Sequence, residues 1–448
     1  MTQGATITAI ATPRGAGGVG IIRISGSLAP QIAELWLSKI PRPRYAYRVK
    51  VCDAQQQVLD DGLLLYFPAP NSFTGEHVVE FQGHGSPVTL ELILQRLYQL
   101  GCSPARPGEF SERAFLNDRI ALSQAEAIAD LIAARSESAA RAALRSLDGV
   151  FARAVAALQA QLTELRVWIE AAIDFPEEEI DFLSDPKLST HAQQMEASLQ
   201  RLLARAQQGA ALTDGAHIVI LGRPNAGKSS LLNALAGSDR AIVSETAGTT
   251  RDLLREQLSL EGIPITLVDT AGLRESHDHV EQEGVRRARA EAQRADQVWF
   301  VVDASAADDA DLSALAESAP SAVAKLWIWN KADLLNQQPL VDRYREAPRI
   351  WLSAREGAGL ALLAAQVRAG LGVGEASEGA FSARSRHVTA LQNAAQEVTQ
   401  ARAHLSVGSG ELAAEHLRLA QQYLSQLTGE YRSDDLLGAI FGSFCIGK

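Results

Sequence analysis

The sequence is poor in cysteine, with only Cys52, Cys102 and Cys445 in 448 residues. Three cysteines so far apart predict neither a disulfide framework nor a zinc cluster, and they favour a reducing compartment. Long apolar runs are also missing, since stretches such as Val298–Val302 fall far below the ~18 residues that cross a bilayer. The first residues lack the basic start and apolar core of a secretory signal. We therefore expect a cytoplasmic protein with no membrane partner.

Positive charge is scarce as well. Lysine and arginine total 42 against 53 aspartates and glutamates, which gives a net charge of −11. This balance argues against a dedicated nucleic-acid coat protein, but it leaves open a local basic patch or a nucleic acid held mainly by a partner. Four arginines could form such a patch, although acidic residues lie among them and a solvated helix explains them equally well. They are Arg135, Arg141, Arg145 and Arg153.

The chain is long and apolar enough for several cores, since 46% of its residues are hydrophobic. The sequence predicts a multidomain protein that begins with an α+β domain at 1–118. Two helical segments, 119–210 and 373–448, are predicted to form one domain. An α/β domain at 211–372 is inserted between them. Apolar residues in steps of four and three predict one long helix with a buried seam: Phe151, Val155, Leu158, Leu162, Leu165, Ile169 and Ala172.

The 211–372 segment alternates short apolar strands with helical or loop stretches. Such alternation predicts a mostly parallel sheet covered by helices. The predicted strands are His217–Leu221, Ile263–Asp269, Val298–Asp303, Leu326–Asn330 and Ile350–Ser353.

The first of these strands is followed directly by a complete phosphate loop, Gly222-Arg-Pro-Asn-Ala-Gly-Lys-Ser229. Its glycines let backbone N–H groups turn toward phosphate oxygens. Lys228 is placed to reach the β- and γ-phosphates, and the Ser229 hydroxyl is placed to bind Mg²⁺. The loop predicts nucleotide contacts from Asn225, Ala226, Gly227, Lys228, Ser229 and Ser230.

Two further segments are typical of nucleotide switch loops. Asp269-Thr270-Ala271-Gly272 ends a strand, so Asp269 can hold Mg²⁺ through water and the N–H of Gly272 can meet the γ-phosphate. In the first switch region, Thr250 is expected to complete the Mg²⁺ shell. The predicted nucleotide contacts in that region are Ser244, Glu245, Thr246, Ala247, Gly248, Thr249 and Thr250.

The base is predicted to be guanine. Asn330-Lys331-Ala332-Asp333 ends another strand, and the Asp333 carboxylate can accept hydrogen bonds from the guanine N1–H and 2-amino group, which adenine lacks. Asn330 can serve the guanine edge while the stem of Lys331 packs on the ring. After the next strand, Ser353-Ala354-Arg355 is expected to offer a backbone N–H to guanine O6.

The expected catalytic glutamine is absent. Leu273 follows Gly272 at the position where Ras-type enzymes orient the attacking water with glutamine, and leucine cannot do this. Hydrolysis therefore needs another water-positioning group and another positive charge. Switch-loop residues considered for catalysis are Gly248, Arg251, Leu273 and Arg274.

The nucleotide motifs together resemble GTPases with a hydrophobic residue in place of the catalytic glutamine. Landmarks elsewhere resemble the MnmE/TrmE family of tRNA uridine-modification GTPases, and the resemblance runs from end to end. These landmarks are Ala11–Ser25, Phe73–Glu76, Gln82–Gly85, Ala105–Asn117 and the terminal Cys445–Lys448.

The resemblance implies a wider function. It implies an N-terminal domain that binds 5-formyl-tetrahydrofolate or a related one-carbon folate, and G domains that pair as a homodimer when K⁺ is present. It also implies an FAD-dependent partner protein in a heterotetramer. That complex would add a carboxymethylaminomethyl-type group to C5 of the wobble uridine of certain tRNAs.

The same resemblance implies roles for individual residues. Asn225, Ser244, Thr246 and Thr249 match the K⁺ ligands, and this cation would replace an arginine finger. Glu281 matches an acidic residue that positions water. The implied folate contacts are Arg23, Glu80, Arg119 and Lys448. Cys445 could act as a nucleophile, or it could only help to seat the C-terminal tail.

Several alternatives stay open. A ribosome-assembly GTPase would need a strongly basic RNA-binding module, and a folate-dependent one-carbon transferase regulated by GTP would share the N-terminal features.

An NAD fingerprint is rejected, because the glycine-rich turn Gly15–Gly20 precedes the predicted strand Ile21–Ser25 instead of linking a strand to a helix.

Overall fold

A computed structural model of the chain describes residues 4–174, 186–237, 255–260, 263–269, 291–293, 295–321, 323–371, 380–429 and 434–447. By the density of its contacts the chain divides into two compact units. One unit is Met1–Ala129 with Ser425–Lys448, and the other is Asp130–Leu424. Among the described residues, no helix combines the length and the apolar character that crossing a membrane requires.

The N-terminal part of the chain is a six-stranded sheet with helices packed against it, as predicted for an α+β domain. Antiparallel pairing dominates, in the spatial order β3-β4-β5-β2-β1-β6, and only β1 and β6 are parallel to each other. The strands are β1 Ile7–Ile10, β2 Gly17–Ser25, β3 Tyr47–Cys52, β4 Val58–Phe67, β5 Val78–Gly85 and β6 Ser103–Pro104. The helices are α1 Ala29–Leu37, α2 Pro87–Gln99 and α3 Glu109–Leu116.

Alternation along the strands decides which face of this sheet is buried. Residues such as Ile22, Phe81 and Leu64 point to the side covered by α1 and α2 and are fully buried there. The neighbouring residues Arg23 and Glu80 point to the opposite face, where the register places them directly across from each other. Charged side chains are thereby brought together on the face opposite α1 and α2, where Phe110 of α3 also packs against Ile7 and Ala9.

The next elements are α4 Leu122–Ala133, α5 Glu137–Leu147, α6 Val150–Asp174 and α7 Pro186–Thr213. Helix α6 confirms the predicted long helix, because the seam from Phe151 to Ile169 is buried. The last seam residue, Ala172, is half-buried. A helix of this length is stabilised mainly by packing of such an apolar stripe.

A seven-stranded sheet follows, in the order β12-β13-β11-β10-β7-β9-β8. Its five central strands are parallel, which confirms the predicted sheet, while β8 and β12 pair antiparallel at its two edges. The strands are β7 Ala216–Leu221, β8 Arg255–Leu260, β9 Ile263–Asp269, β10 Gln297–Asp303, β11 Ala324–Asn330, β12 Leu340–Tyr344 and β13 Ala347–Trp351. The helices are α8 Lys228–Ala236, α9 Asp309–Glu317 and α10 Leu360–Gly370.

Three helices complete the described chain, α11 Ser385–Ser406, α12 Gly410–Thr428 and α13 Asp434–Gly442. Helix α11 packs against α7. In the unit that contains both chain termini, Phe441 of α13 packs with Phe115 of α3. Phe444, just after α13, belongs to the same cluster. This packing brings the C-terminal tail to the N-terminal sheet of the same unit.

Candidate functional sites

The phosphate loop lies at the carboxyl end of β7, which is paired with β10 and β9 inside the parallel sheet. Asn225 and Gly227 have φ angles of 63° and 91°, so the chain turns sharply before α8 begins at Lys228. The ammonium group of Lys228 donates to the carbonyl oxygens of Gly222, at 2.9 Å, and Arg223, at 2.8 Å. The lysine thus curls back across the loop, and the first turn of α8 carries Ser229 and Ser230 beside it. Such a helix start favours anions.

Asn330, at the end of β11, ties the phosphate loop to the loop after β13. Its amide nitrogen donates to the carbonyl oxygen of Ala226 at 3.1 Å, and its amide oxygen accepts from the N–H of Ala354 at 2.9 Å. The residue is only 2% exposed. A Cβ on Gly227 would lie 2.1 Å from the same amide nitrogen, so glycine is required there by contact as well as by φ.

Asp333 presents an unsatisfied acceptor at the same edge of the sheet. Its Oδ1 is buried and accepts no hydrogen bond from any residue in the described part of the chain. A buried oxygen without a donor is unfavourable, so a ligand that supplies N–H groups would be stabilised here. The N1–H and 2-amino group of guanine are such donors. The backbone beside it is fixed, because the N–H of Ala332 donates to Leu352.

Lys331 lies between these two residues in a left-handed conformation, with φ 63°. Its ammonium group pairs with Asp303 at 2.6 Å, which holds the stem of the side chain in one direction. Burial alone would raise the pKa of Asp303, but hydrogen bonds from Lys331 and Ser305 outweigh this effect and hold that pKa below its usual value. The carboxylate of Asp303 therefore stays charged at neutral pH.

Within the described residues, the structure thus brings the predicted phosphate loop next to the predicted guanine-binding segment Asn330–Asp333. The predicted base-binding residues of the loop after β13 lie beside this segment. Ala354 is buried, and Arg355 is exposed. The hydroxyl of Ser353 accepts from the backbone N–H of Glu356 at 3.3 Å. Strand β9 places the backbone of Asp269 opposite Ile220 of β7. The other predicted switch residues lie outside the described residues: Ser244, Glu245, Thr246, Ala247, Gly248, Thr249, Thr250, Arg251, Thr270, Ala271, Gly272, Leu273, Arg274 and Glu281.

A second candidate site is a pocket of about 520 Å³ on the face of the N-terminal sheet opposite α1 and α2. Three of the four predicted folate contacts line it, and the fourth, Lys448, lies outside the described residues. Its charged and aromatic lining residues are Arg23, Arg44, Phe67, Phe73, Glu80 and Arg119. It combines flat apolar surfaces with several hydrogen-bond donors.

Arg23 is the best-anchored side chain of this pocket. It donates to Glu80 across the strand pair at 2.9 Å and to the carbonyl oxygen of Gly447 at 3.3 Å. Its guanidinium also lies over the rings of Phe73 and Phe110, 5.8 and 5.6 Å from their centroids. The C-terminal tail therefore reaches the pocket through its backbone.

Cys445 lies in this tail with an exposed side chain, and it does not belong to the described lining of the pocket. Its carbonyl oxygen accepts from the N–H of Gly108 at 3.3 Å. This contact seats the tail. Whether the thiol acts as a nucleophile stays a prediction.

A network of ion pairs and hydroxyl groups fixes the loop that carries Phe73. Arg113 donates to Glu76 at 3.0 Å and to Glu109 at 2.9 Å. The hydroxyl of Ser25 lies 2.7 Å from that of Thr74 and donates to Glu76 at 2.8 Å. Thr74, Glu76, Glu109 and Arg113, which belong to the Phe73–Glu76 and Ala105–Asn117 landmarks, thus support the pocket wall without lining it.

Arg44 lines the pocket and was missed by the sequence analysis. It precedes β3 in a segment rich in proline and arginine, far along the chain from the other lining residues. No spacing or motif distinguishes it from the exposed arginines nearby. Only the pairing of β3 with β4 brings this segment to Phe67, at the end of β4.

The predicted arginine patch is largely engaged within the chain. Arg141 pairs with Glu137 one helical turn away, Arg145 donates to the carbonyl oxygen of Ala380, and Arg153 donates to that of Asp148. These contacts favour the interpretation as a solvated, internally bonded helix.

Comparison with known proteins gives two family matches. Residues 122–445 match the family described as MnmE helical domain, and residues 6–119 match the family described as GTP-binding protein TrmE N-terminus. A curated relative from Hydrogenovibrio crunogenus, named tRNA modification GTPase MnmE, is 52% identical over 444 residues, covering 99% of this chain and 98% of its own. A relative of the same name from Pseudomonas syringae pv. syringae is 54% identical over 453 residues, covering 99% of both.

Two solved structures match smaller parts of the chain. A variant of Era from Aquifex aeolicus bound to GDP and AlF₄⁻ is 23% identical, covers 41% of this chain and 66% of its own, and has a TM-score of 0.27. The G domain of the FeoB iron transporter from T. maritima is 24% identical, covers 35% of this chain and 98% of its own, and has a TM-score of 0.26.

Proposed function

The chain belongs to the MnmE family of tRNA modification GTPases, and we propose that its GTPase activity depends on K⁺ and serves one defined tRNA reaction. In that reaction an FAD-dependent partner protein and this chain together add a carboxymethylaminomethyl-type group to C5 of a wobble uridine. The observation that best supports the GTPase activity is that Asn330 links the phosphate loop to the base-binding loops by hydrogen bonds.

Guanine recognition is assigned to Asp333. Its buried, unsatisfied Oδ1 needs N–H donors, and guanine offers two on one edge. Adenine has no such pair of donors at this edge and would leave the oxygen unsatisfied. Lys331, held by Asp303, lies beside Asp333 with its stem available to the flat face of the base.

Two cations are proposed to assist hydrolysis. The Ser229 hydroxyl in the first turn of α8 suits Mg²⁺, which prefers oxygen ligands, and Thr250 and Asp269 would complete its surroundings. Asn225 exposes a side chain on the phosphate loop in a left-handed turn, where its oxygen can ligate K⁺ with oxygens of Ser244, Thr246 and Thr249. K⁺ would supply the positive charge that an arginine finger gives other GTPases.

Hydrolysis also needs a positioned water. We assign this role to Glu281, because Leu273 cannot orient water and a carboxylate can accept its proton or hold it through hydrogen bonds. Pairing of two G domains would order the K⁺ loop, so the active species is a homodimer. With its flavoprotein partner it would form a heterotetramer in the cytoplasm.

The N-terminal pocket is proposed to bind 5-formyl-tetrahydrofolate or a related one-carbon folate. The rings of Phe67 and Phe73 suit a flat heterocycle, and Glu80 can accept from its amino and N–H groups. Calorimetric titration of the whole protein with 5-formyl-tetrahydrofolate tests this assignment. Saturable binding supports it, and the absence of any heat of binding at millimolar ligand would refute it.

This pocket also favours a second candidate, a one-carbon transferase regulated by GTP. Mass analysis of tRNA nucleosides from cells with and without the protein separates the two functions. We expect loss of the C5-modified wobble uridine when the protein is removed, and restoration by the intact gene. Unaltered tRNA nucleosides in the deletion would contradict the tRNA function and leave the one-carbon candidate.

A further inference from the structure

The N-terminal pocket carries more positive than negative charge. Among the described lining residues there are three guanidinium groups, those of Arg23, Arg44 and Arg119, and one carboxylate, that of Glu80. Glu80 is already paired with Arg23 at 2.9 Å. Within the described residues, the pocket therefore contains two arginines without a carboxylate partner. A cavity with this balance favours a ligand that brings two negative charges.

We propose that Arg44 is a specificity-determining residue that selects a ligand with a dicarboxylate tail. This inference rests on the proposed folate pocket and deepens it. The tail of a folate monoglutamate has two carboxylates, and each can accept paired hydrogen bonds from a guanidinium group. Arg44 and Arg119 supply two such groups at one pocket, while Arg23 stays with Glu80.

Arg44 is held in place before any ligand arrives. Its backbone N–H donates to Tyr66 at 2.8 Å, and its Nη2 donates to the carbonyl oxygen of Asn71 at 2.7 Å. Its guanidinium lies 5.3 Å from the centroid of the Phe67 ring. A side chain fixed at these points loses little further freedom on binding, and its remaining N–H groups are left for an anion.

The backbone conformation of Arg44 also indicates a functional role. Its φ is 58°, in the left-handed region that residues other than glycine rarely adopt. Such conformations are unfavourable and concentrate at functional sites. Here the strained turn directs a long cationic side chain over Phe67 and toward the pocket.

Arg48 provides a matched control on the same sheet. It lies on β3, and its guanidinium makes two hydrogen bonds to Asp61, at 3.1 and 2.7 Å, outside the pocket. Its side chain is 81% exposed. Replacing Arg48 removes the same charge from the same domain without touching the pocket lining.

The test uses two probes of nearly the same size and shape that differ in the two carboxylates of the glutamate tail. One is 5-formyl-tetrahydrofolate, and the other is its diamide, in which both carboxylates of the glutamate tail are carboxamides. Calorimetry on the full-length protein gives the ratio of the two dissociation constants for wild type, Arg44→Ala, Arg44→Lys and Arg48→Ala. We expect wild type and Arg48→Ala to prefer the acid strongly. Arg44→Ala should lose about 10- to 100-fold in affinity for the acid and little for the diamide.

Arg44→Lys should fall between wild type and Arg44→Ala, because an ammonium group keeps the charge but not the paired geometry. An Arg44→Ala variant whose preference for the acid equals that of wild type would overturn this inference while the folate pocket stands. Failure of both probes to bind wild type would overturn the folate pocket itself. Circular dichroism of each variant confirms that a lost preference is not a lost fold.

Discussion

The two candidate sites are built in different ways. The nucleotide site uses backbone groups and buried amides at the carboxyl ends of parallel strands, and Asn330 and Gly227 are part of its packing. The N-terminal pocket uses charged side chains on the face of a mainly antiparallel sheet opposite α1 and α2, with Arg23 and Glu80 still partly exposed. Changes at Gly227 and Asn330 should therefore disturb the shape of the first site, whereas changes at the second should mainly alter affinity for a charged ligand.

The largest effect is expected from Gly227→Ala. The new Cβ would lie 2.1 Å from the amide nitrogen of Asn330, at a φ of 91° that alanine disfavours. GTP affinity, measured by fluorescence with a labelled nucleotide, should fall by about 100-fold or more, because the turn cannot close around the phosphates. Gly237→Ala at the other end of α8, where φ is −86°, is the control and should bind GTP nearly as wild type does.

Asp333→Asn should have the next largest effect, and it should change specificity instead of shape. An amide in place of the carboxylate exchanges one of the two acceptor oxygens for a donor, so preference should shift toward xanthine nucleotides by about 10- to 100-fold. Competition between GTP and XTP measures this shift, with Asp309→Asn on the exposed start of α9 as control. If GTP is still preferred by the same factor, Asp333 does not read the base.

Asn330→Ala should disturb both the shape of the nucleotide site and the binding of GTP. Truncation leaves the carbonyl oxygen of Ala226 and the N–H of Ala354 without their partner. The free energy of unfolding should fall by about 1–3 kcal/mol, as for other buried groups that lose a hydrogen-bond partner. Guanidinium denaturation with and without GTP separates this loss of stability from a loss of binding. Full stability in the variant would mean that the bridge does not hold the loops.

These predictions at the nucleotide site depend on segments that the sequence could reveal directly. A phosphate loop is contiguous, and the strand before it is a run of apolar residues, so spacing alone located Gly227, Asn330 and Asp333. The buried seam of α6 was equally visible, because its period is local. What could not be seen is that Asn330 bridges two loops, since its partners lie 104 and 24 residues away in the chain.

The N-terminal domain was harder to predict. The segment Gly15–Gly20 was expected to form a turn, but Gly17–Gly20 belongs to β2. The reason is close packing, since a Cβ on Gly20 would lie 2.6 Å from a methyl group of Leu90 on α2. Propensity favours turns at glycine, and tertiary contact overrides it here.

In the seven-stranded sheet, the edge strands β8 and β12 were likewise missed, because edge strands lack a long apolar run.

The smallest effect should come from Glu80→Gln. Loss of its negative charge weakens contacts to ligand N–H groups and frees Arg23, so affinity for 5-formyl-tetrahydrofolate should fall by about 10-fold. GTP affinity should not change, which is the contrast with the variants above. Titrations of both ligands check this, with Glu91→Gln on the exposed side of α2 as control. A parallel loss of GTP affinity would mean that the change spreads beyond the pocket.

The most direct test of the proposed function is the rate of GTP hydrolysis in K⁺ and in Na⁺ buffers of matched ionic strength. With Leu273 at the catalytic position, hydrolysis should be much faster in K⁺ and should rise with protein concentration as G domains pair. Arginine fingers contribute about 10³–10⁵ in rate, and a cation that replaces one should have a large effect. Asn225→Ala should bind GTP but lose the response to K⁺. Equal rates in the two buffers for the wild-type protein would contradict the account.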